Sequence, residues 1–114
     1  MATTLGHIDR EELWERKQRG DELVLVDALA PMSYAVSHLP GAISIPPGQA
    51  ERRAPRRIPD LETEVVVYCA GPPCDASVTV ANRLIELGYR NVRHYAGGKS
   101  DWVEAGLPLE SSRA

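Results

Sequence analysis

The chain has 114 residues, 43% of them hydrophobic and 25% charged, and a formal net charge of -3 at pH 7. This length and composition are typical of one folded domain and exclude an intrinsically disordered protein. The acidic total and an aromatic content of only 5% disfavour nucleic acid as a partner.

The first predicted element is a helix that begins after Asp9. Asp9 is a preferred N-cap residue, Glu12 stands three residues later as in a capping box, and Gly20 is a natural stop. The residues before Asp9 lack the apolar run of a signal peptide, and no later segment has the length of a membrane span. We therefore expect a cytoplasmic protein without membrane attachment, in which cysteines stay reduced.

A buried strand, a short helix and a short strand are predicted next. Residues 23–26, Leu-Val-Leu-Val, form a continuous β-prone run that ends at Asp27, as in a strand buried on both faces. Residues 31–37 begin with a proline in the first turn and predict a helix. Residues 43–45 follow a Pro-Gly turn and predict a short strand.

Residues 46–59 are rich in Pro, Gly and Arg, and we interpret them as a connection within one domain. Four basic residues crowd this segment: Arg52, Arg53, Arg56 and Arg57. They are interpreted either as a solvated loop or as a cluster that attracts small anions or an acidic protein.

The second half alternates strands with helices. The predicted elements are a buried strand over 65–68, a helix over 77–87, a strand over 92–96 and a short helix after Gly97-Gly98. Ser77 is the expected N-cap of the long helix, and Trp14 and Trp102 are expected in the core. The alternation predicts an α/β fold with a mainly parallel central sheet and helices on both faces.

Cys69 directly follows the buried strand over 65–68 and precedes a helix. Ligands of parallel sheets gather at the carboxyl ends of strands, where backbone amides and a helix dipole favour a thiolate over a thiol. Cys69 is therefore a candidate nucleophile. The alternative is a small hydrophobic residue that closes the core, but the turn-rich residues that follow favour an exposed loop.

Three segments in order along the chain carry a family resemblance. The first is Asp27 followed by residues 31–42, Pro-Met-Ser-Tyr-Ala-Val-Ser-His-Leu-Pro-Gly-Ala. The second is residues 65–69, Val-Val-Val-Tyr-Cys, and the third is residues 97–108, with Gly-Gly-Lys-Ser-Asp-Trp and Ala-Gly-Leu-Pro. Together they cover about residues 23–109 and resemble rhodanese-like domains. The resemblance implies a single rhodanese-like domain over residues 1–114.

The resemblance also implies a sulfurtransferase. Cys69 would attack a sulfane sulfur donor, hold the sulfur as a persulfide and pass it to a small or protein acceptor, with no cofactor and no metal. Asp27 and His38 would support the site, His38 by holding its turn. The active-site loop would comprise Ala70, Gly71, Pro72, Pro73, Asp75, Ala76 and Ser77.

The loop departs from the family pattern in its charge. Pro72 and Pro73 lack N–H groups, no Lys or Arg occurs between Cys69 and Asn82, and Asp75 adds a negative charge. We therefore expect weak activity with thiosulfate. Asp75 also occupies the position of the arginine in a Cys-x5-Arg phosphatase loop, which disfavours phosphatase activity.

Cys74 is a second thiol in the same loop. It is either a resolving thiol that closes a disulfide with Cys69 or an unremarkable loop cysteine. The first case leads to an alternative function, a non-catalytic binding or redox-sensing module. Zinc binding by the two cysteines would need two distant ligands, and His7 and His94 have no partner at metal-ligand spacing.

Overall fold

A computed structural model describes residues 5–72 and 74–112 of the chain, so that Pro73 of the expected active-site loop lies outside the described residues. The strands are β1 (Gly6–His7), β2 (Val24–Asp27), β3 (Ile43–Ser44), β4 (Glu64–Tyr68) and β5 (Asn91–His94). The helices are α1 (Arg10–Gln18), α2 (Pro31–Val36), α3 (Ala50–Arg57), α4 (Ala76–Glu86) and α5 (Gly98–Glu104).

The five strands form one parallel sheet in the order β1-β5-β4-β2-β3. β4 lies at the centre, with β2 on one side and β5 on the other. Asp27 is in register with Ser44 on one neighbour and with Tyr68 on the other, so the carboxyl ends of three strands lie on one line. The predicted α/β fold with a parallel sheet is confirmed.

Successive residues of the central strands enter two different cores. Val65 and Val67 pack with the buried side chains of α3 and α4, whereas Val66 and Tyr68 pack with those of α1 and α5. This alternation follows from the period of two in a β-strand and explains why β4 is buried on both faces from Val65 to Tyr68. The second core contains Trp102, which is fully buried and meets Trp14 edge to face at 5.8 Å between ring centroids.

The start of α1 confirms only half of the predicted capping box. The Asp9 carboxylate accepts a hydrogen bond from the Glu12 amide at 2.8 Å, as an N-cap does. The Glu12 carboxylate instead binds the guanidinium of Arg93 on β5, at 2.8 and 3.0 Å. The Glu12 side chain therefore forms an ion pair with a distant strand instead of closing the capping box.

The segment over 46–59 is not the plain connection that its composition suggested, because it contains α3. Ala50, Ala54 and Ile58 recur at intervals of four residues and are buried in the core shared with α4. Their burial stabilises two helical turns despite Pro55, which removes one backbone hydrogen bond. Among the described helices, none combines the length and apolar character needed to cross a membrane.

Candidate active site

Cys69 lies directly after the central strand, at the carboxyl edge of the sheet. Its side chain is only 3% exposed. The sulfur lies 3.1 Å from Ser77 Oγ and donates a hydrogen bond to the Cys74 carbonyl at 3.4 Å. The thiol is thus enclosed by the loop that follows it and by the first turn of α4.

Two opposing effects act on the acidity of Cys69. Burial raises the pKa of its thiol, but hydrogen bonds from the Cys74 thiol, the Ser77 hydroxyl and the amides of Ser77 and Gly71 lower it, and together they outweigh burial. The net pKa lies below the ordinary value of 9.0. Because the thiolate is the nucleophilic form of cysteine, these contacts favour reactivity at neutral pH.

The first turn of α5 holds the active-site loop from the other side. The Lys99 amide donates to the Cys69 carbonyl and the Ser100 amide to the Ala70 carbonyl, both at 2.9 Å. Gly98 has a φ of +65°, and a Cβ there would lie 2.5 Å from the Cys69 carbonyl oxygen. Only a glycine lets the helix approach the loop this closely, which explains the need for the Gly-Gly pair.

Asp27 is fully buried beside the base of the site. One carboxylate oxygen accepts the Tyr68 hydroxyl at 2.8 Å, and the other accepts the Leu29 amide at 2.8 Å. The same Tyr68 hydroxyl accepts the Leu39 amide at 2.9 Å. Asp27 therefore ties the residue before Cys69 to the turn that contains His38.

His38 contacts Tyr34 of α2 and Glu110 near the end of the described chain. Its Nδ1 lies 2.7 Å from the Tyr34 carbonyl, and its ring stacks on the Tyr34 ring at 3.9 Å between centroids. Its backbone pairs with Glu110 through two hydrogen bonds of 2.9 and 2.8 Å. These contacts suit the structural role expected for His38, which stays a prediction.

Ser77 is not the N-cap of α4. The helix begins at Ala76 with Asp75 as its cap residue, and Ser77 is its second residue. The buried Ser77 hydroxyl lies between Cys69 Sγ and His94 Nε2, the latter at 2.8 Å. A serine at the start of a helix commonly caps it. Here the hydroxyl instead contacts Cys69 and His94, which follow or end strands of the sheet.

His94 is the residue of the site that sequence reasoning missed. It is the last residue of β5, is 9% exposed and has its ring 6.1 Å from that of His7. Burial, with a smaller effect of His7, lowers its pKa below 6.5 and keeps the imidazole neutral at neutral pH. Its place at the end of a predicted strand was the available signal, because the carboxyl ends of parallel strands meet at one edge.

The other loop residues differ in exposure. Gly71 is buried at a φ of +132°, Ala76 is partly buried, and Ala70, Pro72 and Asp75 are exposed. Cys74 is partly buried, and its amide donates to the Gly71 carbonyl at 2.8 Å. Both cysteines are free thiols.

Within residues 5–72 and 74–112, no three His, Cys, Asp or Glu side chains form a group that could hold a metal ion.

A groove of about 470 Å³ opens beside the loop. Its lining comprises Leu29, Ser33, Ala70, Lys99, Ser100, Val103 and Glu104. The loop itself contains no cation, but Lys99 lines this groove together with Ala70. The groove therefore offers apolar contacts, one positive charge from Lys99 and one negative charge from Glu104 to a molecule that approaches the active-site loop.

The chain is similar to proteins of known families along most of its length. The model of the rhodanese-like domain matches residues 9–105. The thiosulfate sulfurtransferase GlpE of Haemophilus influenzae is 31% identical over 105 residues, which cover 92% of this chain and 94% of that protein. The HTH-type transcriptional regulator Rv0324 of Mycobacterium tuberculosis is 34% identical over 103 residues, which cover 90% of this chain but 44% of the regulator.

Solved structures share the same architecture. The BH2092 protein of Bacillus halodurans superposes with a TM-score of 0.86 at 26% identity, over 94% of this chain and 77% of that one. A thiosulfate sulfurtransferase of Pseudomonas aeruginosa gives a TM-score of 0.79 at 27% identity, over 96% of this chain and 21% of that one. With its parallel sheet and a cysteine at the end of the central strand, the chain belongs to the rhodanese-like domain family.

Proposed function

We propose that this protein is a sulfurtransferase that carries sulfane sulfur as a persulfide on Cys69. The observation that supports this most directly is the set of hydrogen bonds that lower the pKa of Cys69 against the effect of its burial. Such hydrogen bonds shift the thiol toward its nucleophilic thiolate form and need no cofactor to do so. The thiosulfate sulfurtransferases among its relatives support the same class of reaction.

The reaction divides into two substitutions at sulfur. The Cys69 thiolate attacks the outer sulfur of a donor such as thiosulfate, a sulfur–sulfur bond forms to Cys69, and sulfite leaves with the electron pair of the broken bond. A nucleophilic acceptor then attacks the outer sulfur of the persulfide and releases the Cys69 thiolate. The backbone amides of Gly71 and Ser77 donate hydrogen bonds to the Cys69 sulfur, and they would stabilise the negative charge on sulfur in both steps.

The proposed partners are a small sulfur donor and either a small or a protein acceptor. The groove beside Ala70 supports a donor or acceptor that is mainly apolar, with any negative charge placed toward Lys99 and away from Glu104, since both residues line it. Asp75 is exposed at the start of α4 and disfavours a strongly anionic donor.

Intact-mass measurement tests the proposal. Reduced protein is incubated with thiosulfate, with an organic polysulfide and with 3-mercaptopyruvate, and the mass is measured before and after addition of a thiol acceptor. Wild type should gain one sulfur that the acceptor removes, and Cys74→Ser should gain it too. Cys69→Ser should gain none. A failure of wild type with every donor contradicts the proposal.

The hydrogen-bonded pair of thiols supports a second candidate function. The Cys74 thiol bonds to Cys69, its own pKa is raised by burial and by that bond, and both sulfurs belong to one short loop. A redox-sensing module would oxidise Cys69 to a sulfenic acid that Cys74 attacks, with release of water and formation of a disulfide. Peptide mapping after treatment with hydrogen peroxide distinguishes this function, since it requires a Cys69–Cys74 crosslink.

A further inference from the structure

Three side chains from three parts of the fold form one buried hydrogen-bonded chain. Cys69 follows β4, Ser77 lies in α4 and His94 ends β5, and the two links measure 3.1 and 2.8 Å. Their exposed fractions are 3%, 0% and 9%, so bulk water has little access to them. A hydroxyl between a thiol and an imidazole accepts from one neighbour while it donates to the other.

We propose that Ser77 and His94 form a proton relay that activates Cys69. The Cys69 S–H turns from the Cys74 carbonyl to Ser77 Oγ, its bond breaks and its proton passes to Ser77 Oγ, while the original Ser77 proton passes to His94 Nε2. The products are a thiolate and an imidazolium, with no change in total charge and no oxidant or reductant. This inference rests on the proposed function, because it assigns the origin of the thiolate that attacks the donor.

Two opposing effects act on this transfer. Burial lowers the pKa of His94, which leaves Nε2 unprotonated and able to accept but also makes it a weaker base, whereas the hydrogen bonds that lower the pKa of Cys69 against burial favour the thiolate. The titratable groups near the three hydrogen-bonded side chains are Cys74 and Asp75 from the loop and His7 from β1. Ser77 contacts the reacting sulfur and takes its proton, whereas His94 acts on Cys69 only through Ser77.

The pH dependence of Cys69 alkylation tests the relay without any sulfur donor. Iodoacetamide rates are measured from pH 5 to 10, and peptide mapping separates Cys69 from Cys74. Ser77→Ala and His94→Ala should each raise the apparent pKa of Cys69 by at least about one unit. The double variant should raise it no further than the larger single effect, because both residues act in one chain.

Conservative variants separate a relay from packing. Ser77→Thr retains the hydroxyl and should restore the low pKa, whereas His94→Gln retains a hydrogen-bonding side chain but cannot accept the proton and should not. Thr79→Ala removes an exposed hydroxyl two residues further along α4 and should leave the profile unchanged. Additive effects of the two alanine variants, or a wild-type profile in His94→Gln, would overturn the relay. Circular dichroism at each pH checks that the variants are folded.

A second, independent observation concerns the arginine face of α3, defined by Arg52, Arg53, Arg56 and Arg57, of which Arg53 is partly buried and the other three are exposed. In the part of the chain that the structure describes, none of these four forms an ion pair with a carboxylate. Every other described arginine forms at least one: Arg10, Arg16, Arg19, Arg83, Arg90 and Arg93. Four like charges within two helical turns repel one another, which is unexpected in a protein of net charge -3.

The arginine face lies near the active edge of the sheet. Its four side chains and Ser44 surround a groove of about 310 Å³, and Arg53 donates to the Ser44 carbonyl at 3.1 Å. Ser44, Asp27 and Tyr68 are in register across β3, β2 and β4. At about 4.8 Å between neighbouring strands, Ser44 lies roughly 10 Å from Tyr68, the residue before Cys69.

We infer that the arginine face docks an acidic segment of a protein that accepts sulfur from Cys69. Four guanidiniums without a carboxylate partner match several carboxylates better than they match one small anion, and their separation from Cys69 allows a bound segment to present a thiol to it. This inference rests on the proposed function and names the class of acceptor.

Transfer to synthetic peptides tests the docking surface. The protein is first loaded with sulfur and its persulfide is verified by intact mass, so that a failure of the proposed function is detected separately. Loss of the extra sulfur is then timed with a peptide of one cysteine and six glutamates, and with its glutamine counterpart. The acidic peptide should react at least about tenfold faster at low salt, and the advantage should vanish at 1 M NaCl, where charges are screened.

The variant Arg52→Glu/Arg56→Glu should abolish the preference for the acidic peptide, while its rate with the glutamine peptide stays at the wild-type value. Arg90→Glu is the matched control, since Arg90 is an exposed arginine outside α3 that pairs with Glu62. Equal rates for the two peptides with wild type would overturn the inference. So would inhibition by millimolar inorganic phosphate at constant ionic strength, which would indicate a site for small anions.

Discussion

At the scale of single residues, the active site depends on how closely backbone segments approach one another. Gly98 and Gly71 lie back to back, and a Cβ on Gly98 would come within 2.7 Å of the Gly71 amide nitrogen. A Cβ on Gly71 would come within 2.8 Å of the Gly97 carbonyl oxygen. The amides around Cys69 are thus positioned by residues that contribute no side chain of their own.

Gly98→Ala should therefore destabilise the fold and disturb the thiol. Gly106 provides a matched control because it also has a positive φ, +74°, but has open space where a Cβ would lie. Gly106→Ala should cost about 1 kcal/mol of backbone strain, and Gly98→Ala at least about 3 kcal/mol because backbone atoms must move as well. Urea denaturation measures both, and equal costs would contradict the packing described for α5.

At the scale of elements, a network of charges joins α1 to the central strands. Glu64 at the start of β4 binds Arg16 of α1, with one contact at 2.9 Å, and approaches Arg93 of β5 at 3.5 Å. The hydrogen bond from Arg16 is the largest influence on the pKa of Glu64, which lies below its ordinary value of 4.5 although burial opposes the shift. The network fixes one helix layer on the sheet at the edge opposite Cys69.

The depressed pKa of Glu64 predicts a pH-dependent contribution to stability. A carboxylate with a lower pKa in the folded state stabilises the fold above the unfolded pKa near 4.5, and this stabilisation is lost as the pH falls through the folded pKa. Glu64→Gln should lower the free energy of unfolding by about 1–3 kcal/mol at pH 7 and flatten its decline below pH 4.5. Thermal or urea unfolding between pH 3 and 7 measures this.

The matched control is Glu62→Gln, since Glu62 pairs with Arg90 at 3.2 Å while both side chains are about two-thirds exposed. Its cost should be below about 1 kcal/mol, and its pH profile should follow wild type. Identical behaviour of the two variants would show that the partly buried network contributes no more than a surface ion pair.

At the scale of the whole molecule, charge is distributed unevenly around the active edge. The active-site loop contributes Asp75 and no cation, Lys99 lies in the groove beside Ala70, and the four arginines of α3 are grouped beyond β3. A small dianion at Cys69 can therefore contact only one cation among the described residues, Lys99. A protein that spans the edge of the sheet can contact Lys99 and also the four arginines of α3. The proposed docking of a protein acceptor and the expected weakness with a small, highly charged donor both rest on this arrangement.

Weak turnover of thiosulfate with cyanide follows from this distribution. The thiocyanate assay should show a high KM for thiosulfate, because charge-assisted bonds to a dianion are scarce at the loop. Lys99→Gln should raise that KM by about another tenfold and leave kcat within about twofold, since Lys99 would bind the donor without taking part in the transfer. Efficient turnover by wild type, or an unchanged KM in the variant, would contradict this account.

The sequence by itself determined the α/β fold, the mainly parallel sheet and the place of Cys69 after a buried strand, whereas the strand order made that strand central. It did so because buried runs, caps and turn residues are local signals that repeat in order along the chain. Composition gave the wrong prediction for α3, which we expected to be a connection. Burial of Ala50 and Ala54, four residues apart, stabilises the helix despite Pro55 and the repulsion among its arginines.

Only the tertiary structure decided what surrounds the thiol. Ser77 and His94 are seventeen residues apart and meet because α4 crosses back to place β5 beside β4. Lys99 and the arginine face likewise reach the active edge from helices that local patterns could not position relative to Cys69. The physical reason is that a strand pattern specifies which face is buried, but register and crossover specify which side chains share an edge. The sequence identified Cys69 as the candidate nucleophile, but it did not identify which distant residues surround the thiol.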